Sequence, residues 1–412
     1  MGYTTENTIE KRRARMAAAL ALREPDRVPF SPRFGKSIGQ FGGVSNYEAM
    51  ADIRNIYGSL RKLLSKYELD EFGAPALYPL NAMEILGTTH VKWPGASHGL
   101  DLNSSFQVLD RSYFDEDGYD EFLRDPSAFI FTKVFPDRHE NLQGLRKLSL
   151  NNAMEFGHFA SIGAFSEPDV VDALLTLISA GKEVRKWQQR TAGMAAVAEE
   201  MQCPAPRYAG HAMAYDMLAD NLRGYVNVPM DLYSVPDKVL AATEYMHHLC
   251  KTAIAGYAAM GVEFVSIPLH GGTDEFLSDE QYKKHYWPFL RDMIEQICDL
   301  GMTPSVFCEG RYDTRLEVLR EVPPGKVIYK FEKTESAKAK KALGDIACIN
   351  GNFPTADLIF GKKEKIIEDT KRMLDECAPG GGFIMSCSIG LDNYDEALFE
   401  AWYEASLKYG QY

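Results

Sequence analysis

Four short apolar runs in the second half of the chain each end in a polar or reactive side chain. Phe264-Val-Ser-Ile-Pro-Leu runs into His270, and Ser305-Val-Phe runs into Cys308 and Glu309. Val327-Ile-Tyr-Lys-Phe runs into Glu332, and Gly382-Phe-Ile-Met-Ser runs into Cys387. Runs of this length bounded by turn residues read as strands, and the stretches between them carry helical spacing. The expected order is strand Val262–Leu269 and helix Asp279–Leu300, then strand Thr303–Phe307 and helix Thr314–Glu321. Strand Lys326–Phe331 precedes helix Ser336–Leu343, and strand Ala347–Asn350 precedes a helix over Lys362–Cys377. Strand Gly382–Cys387 and helix Asn393–Tyr409 complete the series. Consecutive strand–helix units of this kind call for right-handed crossovers and a parallel sheet. Strands that are apolar on both faces agree with that.

The first half is less regular. Thr8 to Leu22 has helical periodicity, and Arg23 to Pro29 is a turn leading into a first strand over Val28–Phe34. Tyr47 to Tyr67 reads as one helix, with Ile53, Ile56, Leu60, Leu63 and Leu64 spaced by three and four. From about Tyr78 to Arg138 the turn signals Trp93-Pro-Gly95, Asp115-Glu-Asp-Gly118 and Asp125-Pro126 separate short β-prone pieces. A long excursion like this covers a barrel mouth or makes a subunit contact. Asp169–Met194, with Ser166 as its N-cap, and Pro236–Met260 are further helices. The pattern predicts a single α/β domain over residues 1–412, a (β/α)8 TIM barrel with an elaborated N-terminal region and an excursion at about 78–138.

Composition changes the picture in a few places. At 412 residues, 45% hydrophobic and 25% charged, the chain is able to bury a large core. A net charge of −13 argues against nucleic acid or an anionic membrane as partner and is compatible with a basic patch on another protein. No apolar run approaches the ~20 residues that a membrane span needs. Met1 to Leu22 reads as a surface helix rather than a signal peptide. Seven scattered cysteines do not form a disulfide framework, so a reducing cytoplasm is the expected location.

In a parallel barrel the site lies at the C-terminal strand ends. His270, Cys308, Glu309, Glu332, Asn350, Asn352 and Cys387 all fall there. Two thiolates with a histidine or carboxylate suit Zn2+; the plainer reading is two small buried hydrophobes. His270 is a ligand, a general acid, or a ring hydrogen-bonded to the loop behind it. Glu309 and Glu332 follow apolar runs, where carboxylates are uncommon without a partner. Arg311 and Lys333 are the bland partners for them.

These residues also carry a resemblance. Leu22-Arg-Glu-Pro-Asp-Arg-Val-Pro-Phe30, Leu277-Ser-Asp-Glu-Gln-Tyr282, Tyr286-Trp-Pro-Phe289, Gly380–Gly382 and Tyr394–Gly410 are similar, in order, to segments of the uroporphyrinogen decarboxylase superfamily. Within it the chain resembles the cobalamin-dependent methyltransferase branch. The decarboxylases have an arginine-rich N-terminal loop for a substrate with eight carboxylates, whereas Ser31-Pro-Arg-Phe-Gly-Lys-Ser37 offers only Arg33 and Lys36. The methyltransferases have a zinc site of His-x-Cys plus a cysteine near the last strand. Cys308 and Cys387 match the cysteines, and Val306 stands where the histidine would be. The resemblance implies a zinc set of Cys308, Glu332 and Cys387 completed by His270 or Glu309, with His270 and Glu309 as catalytic residues. It also implies a cobalamin (corrinoid) cofactor on a separate partner protein, because no Asp-x-His-x-x-Gly motif occurs here. The activity implied is methyl transfer between a small substrate, such as a thiol, folate or methyl ether, and that cobalt. A metal-free decarboxylase and a non-catalytic tetrapyrrole- or corrinoid-binding module stand as alternatives, and the large excursion suggests a homodimer.

Overall fold

The computed structural model describes residues 8–149 and 158–412. Six parallel strands, each hydrogen-bonded to the next in chain order, form its centre. They are β1 (Tyr208–Gly210), β2 (Phe264–Leu269), β3 (Thr303–Cys308), β4 (Ile328–Phe331), β5 (Cys348–Asn350) and β6 (Phe383–Ile384). The circuit continues past both edges through extended backbone. Ser31 N–H donates to Met385 O at 3.0 Å and Met385 N–H to Pro29 O at 2.8 Å. Asp70 N–H then donates to Phe30 O at 3.0 Å, and Phe72 N–H to Pro204 O at 2.8 Å, just ahead of β1. The segments at 29–31 and 70–72 thus take the remaining strand places of the expected (β/α) barrel, held by one or two hydrogen bonds at each edge instead of ladders.

A buried ion pair fixes these two segments. Asp70 is fully buried and accepts from Phe30 N–H and from Arg27, each at 2.7 Å, while Arg15 on helix Ile9–Leu20 also pairs with it. Such a charge is tolerated inside because donors surround it. From the same helix, Met16 and Ala19 pack on Phe264, Ile328, Cys348 and Ile384, which closes the N-terminal end of the barrel.

Burial alternates along β2 and β3 and shows which way each side chain faces. Val265, Ile267 and Leu269 are fully buried against the surrounding helices, whereas Ser266 and Pro268 are half-buried and line the lumen. On β3 the helix-facing set is Pro304, Val306 and Cys308, and the lumen set is Thr303, Ser305 and Phe307. Register carries these rungs across the sheet: Pro268, Phe307 and Lys330 are neighbours, and Lys330 is paired with Asn350. His270, Glu309 and Glu332 occupy the next lumen rung towards the mouth.

Several elements differ from expectation. The helix expected over Tyr47–Tyr67 is three pieces, Asn46–Ala51, Ile53–Ile56 and Tyr57–Lys66, broken where Asp52 turns extended. The excursion after Tyr78 is mostly helical, and its only strands are the two-residue pieces Val91–Lys92 and Gln107–Val108. Phe114, Phe122 and Phe129 pack together there, so aromatics that favour strands in isolation serve a helical cluster instead. Thr314–Glu321 holds only the 3-10 turn Val318–Arg320, because Thr314 and Arg315 are committed to Asp274 and Asp279.

Candidate active site

His270 leaves the end of β2 into a cavity of about 850 Å³ at the C-terminal mouth. Its Nδ1 lies 2.8 Å from Asp220 Oδ2 and its Nε2 lies 3.3 Å from Glu309 Oε2. A neutral imidazole donates from one nitrogen only, so two carboxylates on opposite sides fit the imidazolium. Burial works against that charge, but the hydrogen bonds to Asp220 and Glu309 and the charge of Asp216 outweigh it and raise His270 to about 10. The two carboxylates differ in freedom, since the Asp220 side chain is 20% exposed and that of Glu309 is 48% exposed. Asp220 is the fixed anchor; Glu309 is able to move aside.

Asp216 holds the backbone beneath. It is fully buried and accepts from His270 N–H at 3.0 Å, Gly271 N–H at 2.8 Å and the Tyr286 hydroxyl at 2.7 Å. Burial, with repulsion from Asp220, lifts its carboxyl to about 6 despite these donors. The strand end approaches Asp216 so closely that a Cβ on Gly271 would lie 2.9 Å from Asp216 Oδ1, which is why glycine follows the histidine. Asp216 and Asp220 stand one turn apart, on helix Ala214–Leu218 and the wider turn Ala219–Arg223 that continues it. Tyr225 closes the group, its ring 6.1 Å from that of His270. Glu332 reaches the same cavity and accepts from Gly310 N–H at 2.7 Å.

Of the residues expected to form a metal site, His270, Glu309 and Glu332 line the cavity and the two cysteines do not. Cys308 sits on the helix-facing side of β3 beside Val306, both fully buried. Burial pushes its thiol well above the usual range, and its neighbours are the buried phenols of Tyr282, Tyr312 and Tyr329. Cys387 is also fully buried, its Sγ 3.7 Å from the Arg33 carbonyl oxygen. Among the described residues no group of three or more His, Cys, Asp or Glu side chains is placed to hold a metal. The set Cys308, Glu332, Cys387 and His270 therefore does not fit zinc. Strand alternation turns the cysteine away from the mouth that the following residue, Glu309, faces. The arrangement itself offers acid–base chemistry.

The stretch from Tyr208 to Tyr233 and the excursion carry no motif in the sequence, yet both supply the site. The first contributes Asp216, Asp220 and Tyr225. The second contributes the far wall, where His90 and His139 face each other with rings 5.6 Å apart. Burial, then Arg138 for His90 and the His90–Arg138 pair for His139, lowers both to about 4, so they are neutral imidazoles. The four-residue spacing of Asp216 and Asp220 was the one visible signal.

A sequence profile described as uroporphyrinogen decarboxylase (URO-D) matches residues 206–393. No curated protein matches the sequence. A methyltransferase from Methanosarcina mazei superposes with a TM-score of 0.61 at 14% identity, covering 98% of this chain and 99% of that one. An L-ribulose 3-epimerase also aligns, at 14% identity over 50% of this chain and 69% of its own, but with a TM-score of 0.31 it supports no comparison. The resemblance to the uroporphyrinogen decarboxylase superfamily is supported by the profile, and the barrel fold by the methyltransferase. No helix among the described residues is long and apolar enough to cross a membrane.

Proposed function

We propose that this chain, similar to the uroporphyrinogen decarboxylase superfamily in sequence and to a methyltransferase in fold, transfers a methyl group from a small donor to a corrinoid carried by a partner protein. The observation that supports it is the His270 imidazolium, gripped by Asp220 and facing the cavity through a nitrogen that only the half-exposed Glu309 covers. A donor heteroatom entering the cavity displaces Glu309 and takes its place at Nε2. As the bond between methyl carbon and heteroatom breaks, its electron pair stays on the heteroatom, which receives the Nε2 proton. Loss of the Glu309 contact lowers the pKa of the imidazolium towards neutrality just when the proton is needed. A reduced corrinoid bound at the cavity mouth would supply the electron pair that takes up the methyl group. The cavity edge suits the apolar face of such a macrocycle, since Tyr78, Val108 and Phe276 are exposed large hydrophobics that line it.

Decarboxylation of a porphyrinogen is the less favoured reading on one observation. Asp110, Asp220, Glu275, Glu309 and Glu332 outnumber Arg111, Arg138, Lys333 and the His270 imidazolium around the cavity, a poor surface for a polycarboxylate. The test is consumption of reduced cobalamin by the wild type with a panel of methyl ethers, methyl thioethers and methylamines, read by absorbance. His270→Gln should lower the rate by about 100-fold or more, the usual worth of a positioned acid. Carbon dioxide release from a porphyrinogen with no methyl transfer across the panel would overturn the proposal, as would corrinoid binding without turnover.

A further inference from the structure

The excursion brings two arginines to the far wall of the cavity and gives neither of them an acid. Arg111 and Arg138 both line the cavity and are half-buried. Thr89 joins their segments: its N–H donates to Arg138 O at 2.9 Å, and its Oγ1 accepts from Arg111 Nη1 at 2.9 Å. Arg111 Nη2 donates to Thr89 O at 2.8 Å. Arg138 Nε donates to the Tyr113 hydroxyl at 3.1 Å, its guanidinium lies 5.0 Å from the centroid of that ring, and its Nη2 donates to Asn221 O. All of these acceptors are neutral. Among the described residues Arg138 Nη1 and Arg111 Nε make no hydrogen bond, and neither guanidinium makes an ion pair. The acids next to them in the chain are committed elsewhere, Asp137 to Arg146 and Asp110 to Tyr225 N–H at 3.3 Å. Two such cations on adjoining segments repel each other and focus positive potential into the cavity, which an anion relieves.

We propose that Arg111 and Arg138 form a carboxylate subsite on the far wall, so that the small molecule this cavity takes is an organic acid. A planar guanidinium matches a carboxylate in shape and charge, and each of these two keeps a donor to spare for one. The neutral imidazoles of His90 and His139 stand on the same wall and add hydrogen-bonding groups without adding charge. The subsite is tied to the acid of the near wall. Asn221, which accepts from Arg138, directly follows Asp220, which holds His270 Nδ1 at 2.8 Å. An acid with a heteroatom a few bonds from its carboxylate therefore meets Arg138 at one end and His270 Nε2 at the other. Asp220, Glu309 and Glu332 repel a carboxylate from the near wall, so the molecule enters one way round. That orientation rests on the methyl-transfer reading; the binding of the carboxylate does not.

The experiment is calorimetric titration of the full chain, without corrinoid, using methoxyacetate, methoxypropionate and phenylacetate, each against its neutral amide. At least one acid should bind, with its amide weaker by about tenfold or more, as expected when a charged partner is lost. Arg111→Gln and Arg138→Gln should each weaken the acid by a similar factor. Lys333→Gln, which removes a cation beside Glu332 in the same cavity, should leave the acid's affinity unchanged. Arg138 also braces Tyr113 and Asn221, so thermal unfolding is followed for every variant; if Arg138→Gln does not fold, Arg111→Gln decides. The proposal fails if no acid binds, if the amides bind as tightly as the acids, or if the folded arginine variants bind the acid like the wild type. It fails equally if Lys333→Gln weakens the acid as much as the arginine variants do. Because no methyl transfer is read, its failure and the failure of the methyltransferase reading are separate results.

Discussion

Replacing Asp220 by Asn tests the charge that sets the whole site. The amide keeps an acceptor near the 2.8 Å contact to His270 Nδ1 but removes the negative charge. An opposite charge at such a distance is worth about 1–3 pKa units. With Glu309 and Asp216 still in place, His270 should fall from about 10 by roughly 1–2 units, to about 8 or 9. The stability consequence has a definite sign. A histidine whose folded pKa lies above its ordinary 6.5 contributes stability in full below pH 6.5, and that contribution is lost as the pH rises to about 10. Discounted for the part-exposed position, the wild type should lose about 2 kcal/mol from this group across that window, and Asp220→Asn about half as much. His270→Asn provides the baseline from which other titrating groups are subtracted. Imidazole resonances followed by NMR, and urea unfolding at pH 6, 8 and 10, give both quantities. A wild-type His270 pKa below 7, or one that Asp220→Asn leaves within about 0.3 units of the wild type, would refute the assignment, because no opposed charge shifts a pKa that little.

Three further outcomes follow from the same geometry. Cys308→Ser should cost about 1–3 kcal/mol through a hydroxyl buried among apolar atoms, and elemental analysis should show its zinc content equal to that of the wild type; stoichiometric zinc lost with this change would mean Cys308 does face a metal. Gly310→Ala should destabilise by about 1–3 kcal/mol, since Gly310 has φ +87° and a Cβ there would lie 2.8 Å from Thr273 Cγ2; no change in urea midpoint would contradict that. Glu71→Gln should flatten the pH dependence of stability between pH 4.5 and 7, because burial raises Glu71 to about 7 and its folded-state advantage fades as pH climbs through that range. Urea curves at pH 5 and 8 should show the variant gaining on the wild type by about 1–3 kcal/mol at the higher pH.

Strand order and the position of His270 and Glu309 were legible because apolar runs tipped by polar atoms leave few alternatives in a parallel fold. Facing was harder. Phe307, Cys308 and Glu309 look equivalent as the tip of a run, yet the pleat sends Cys308 to the helices and the other two to the lumen. The half-exposed Ser266 and Pro268 were the hint that the lumen is wet, but between Val265 and Ile267 they passed as one buried strand. Asp216 and Asp220 had no distinguishing context among 58 acidic residues. Their role depends on a tertiary approach between a helix and a strand end 50 residues later, which local pattern does not encode. Lys330 was hidden for the opposite reason: a single lysine in an apolar run reads as a solvated edge, and only the register shows it enclosed.

The way the ring is completed bears on how the chain is made. A fragment limited to 206–393 would present β1 and β6 as open edges, with rows of unpaired amides inviting edge-to-edge aggregation. The segment at 29–31 reaches its neighbour only when Met385 has been synthesised, so the earliest-made strand waits for nearly the last. Until then the Asp70 carboxylate, Arg15 and Arg27 already hold the two N-terminal segments to one another. That pre-assembled clasp shortens the search that so distant a contact would otherwise demand. Asp70→Asn should therefore show itself first as a lower yield of refolded protein, rather than as a change at the cavity.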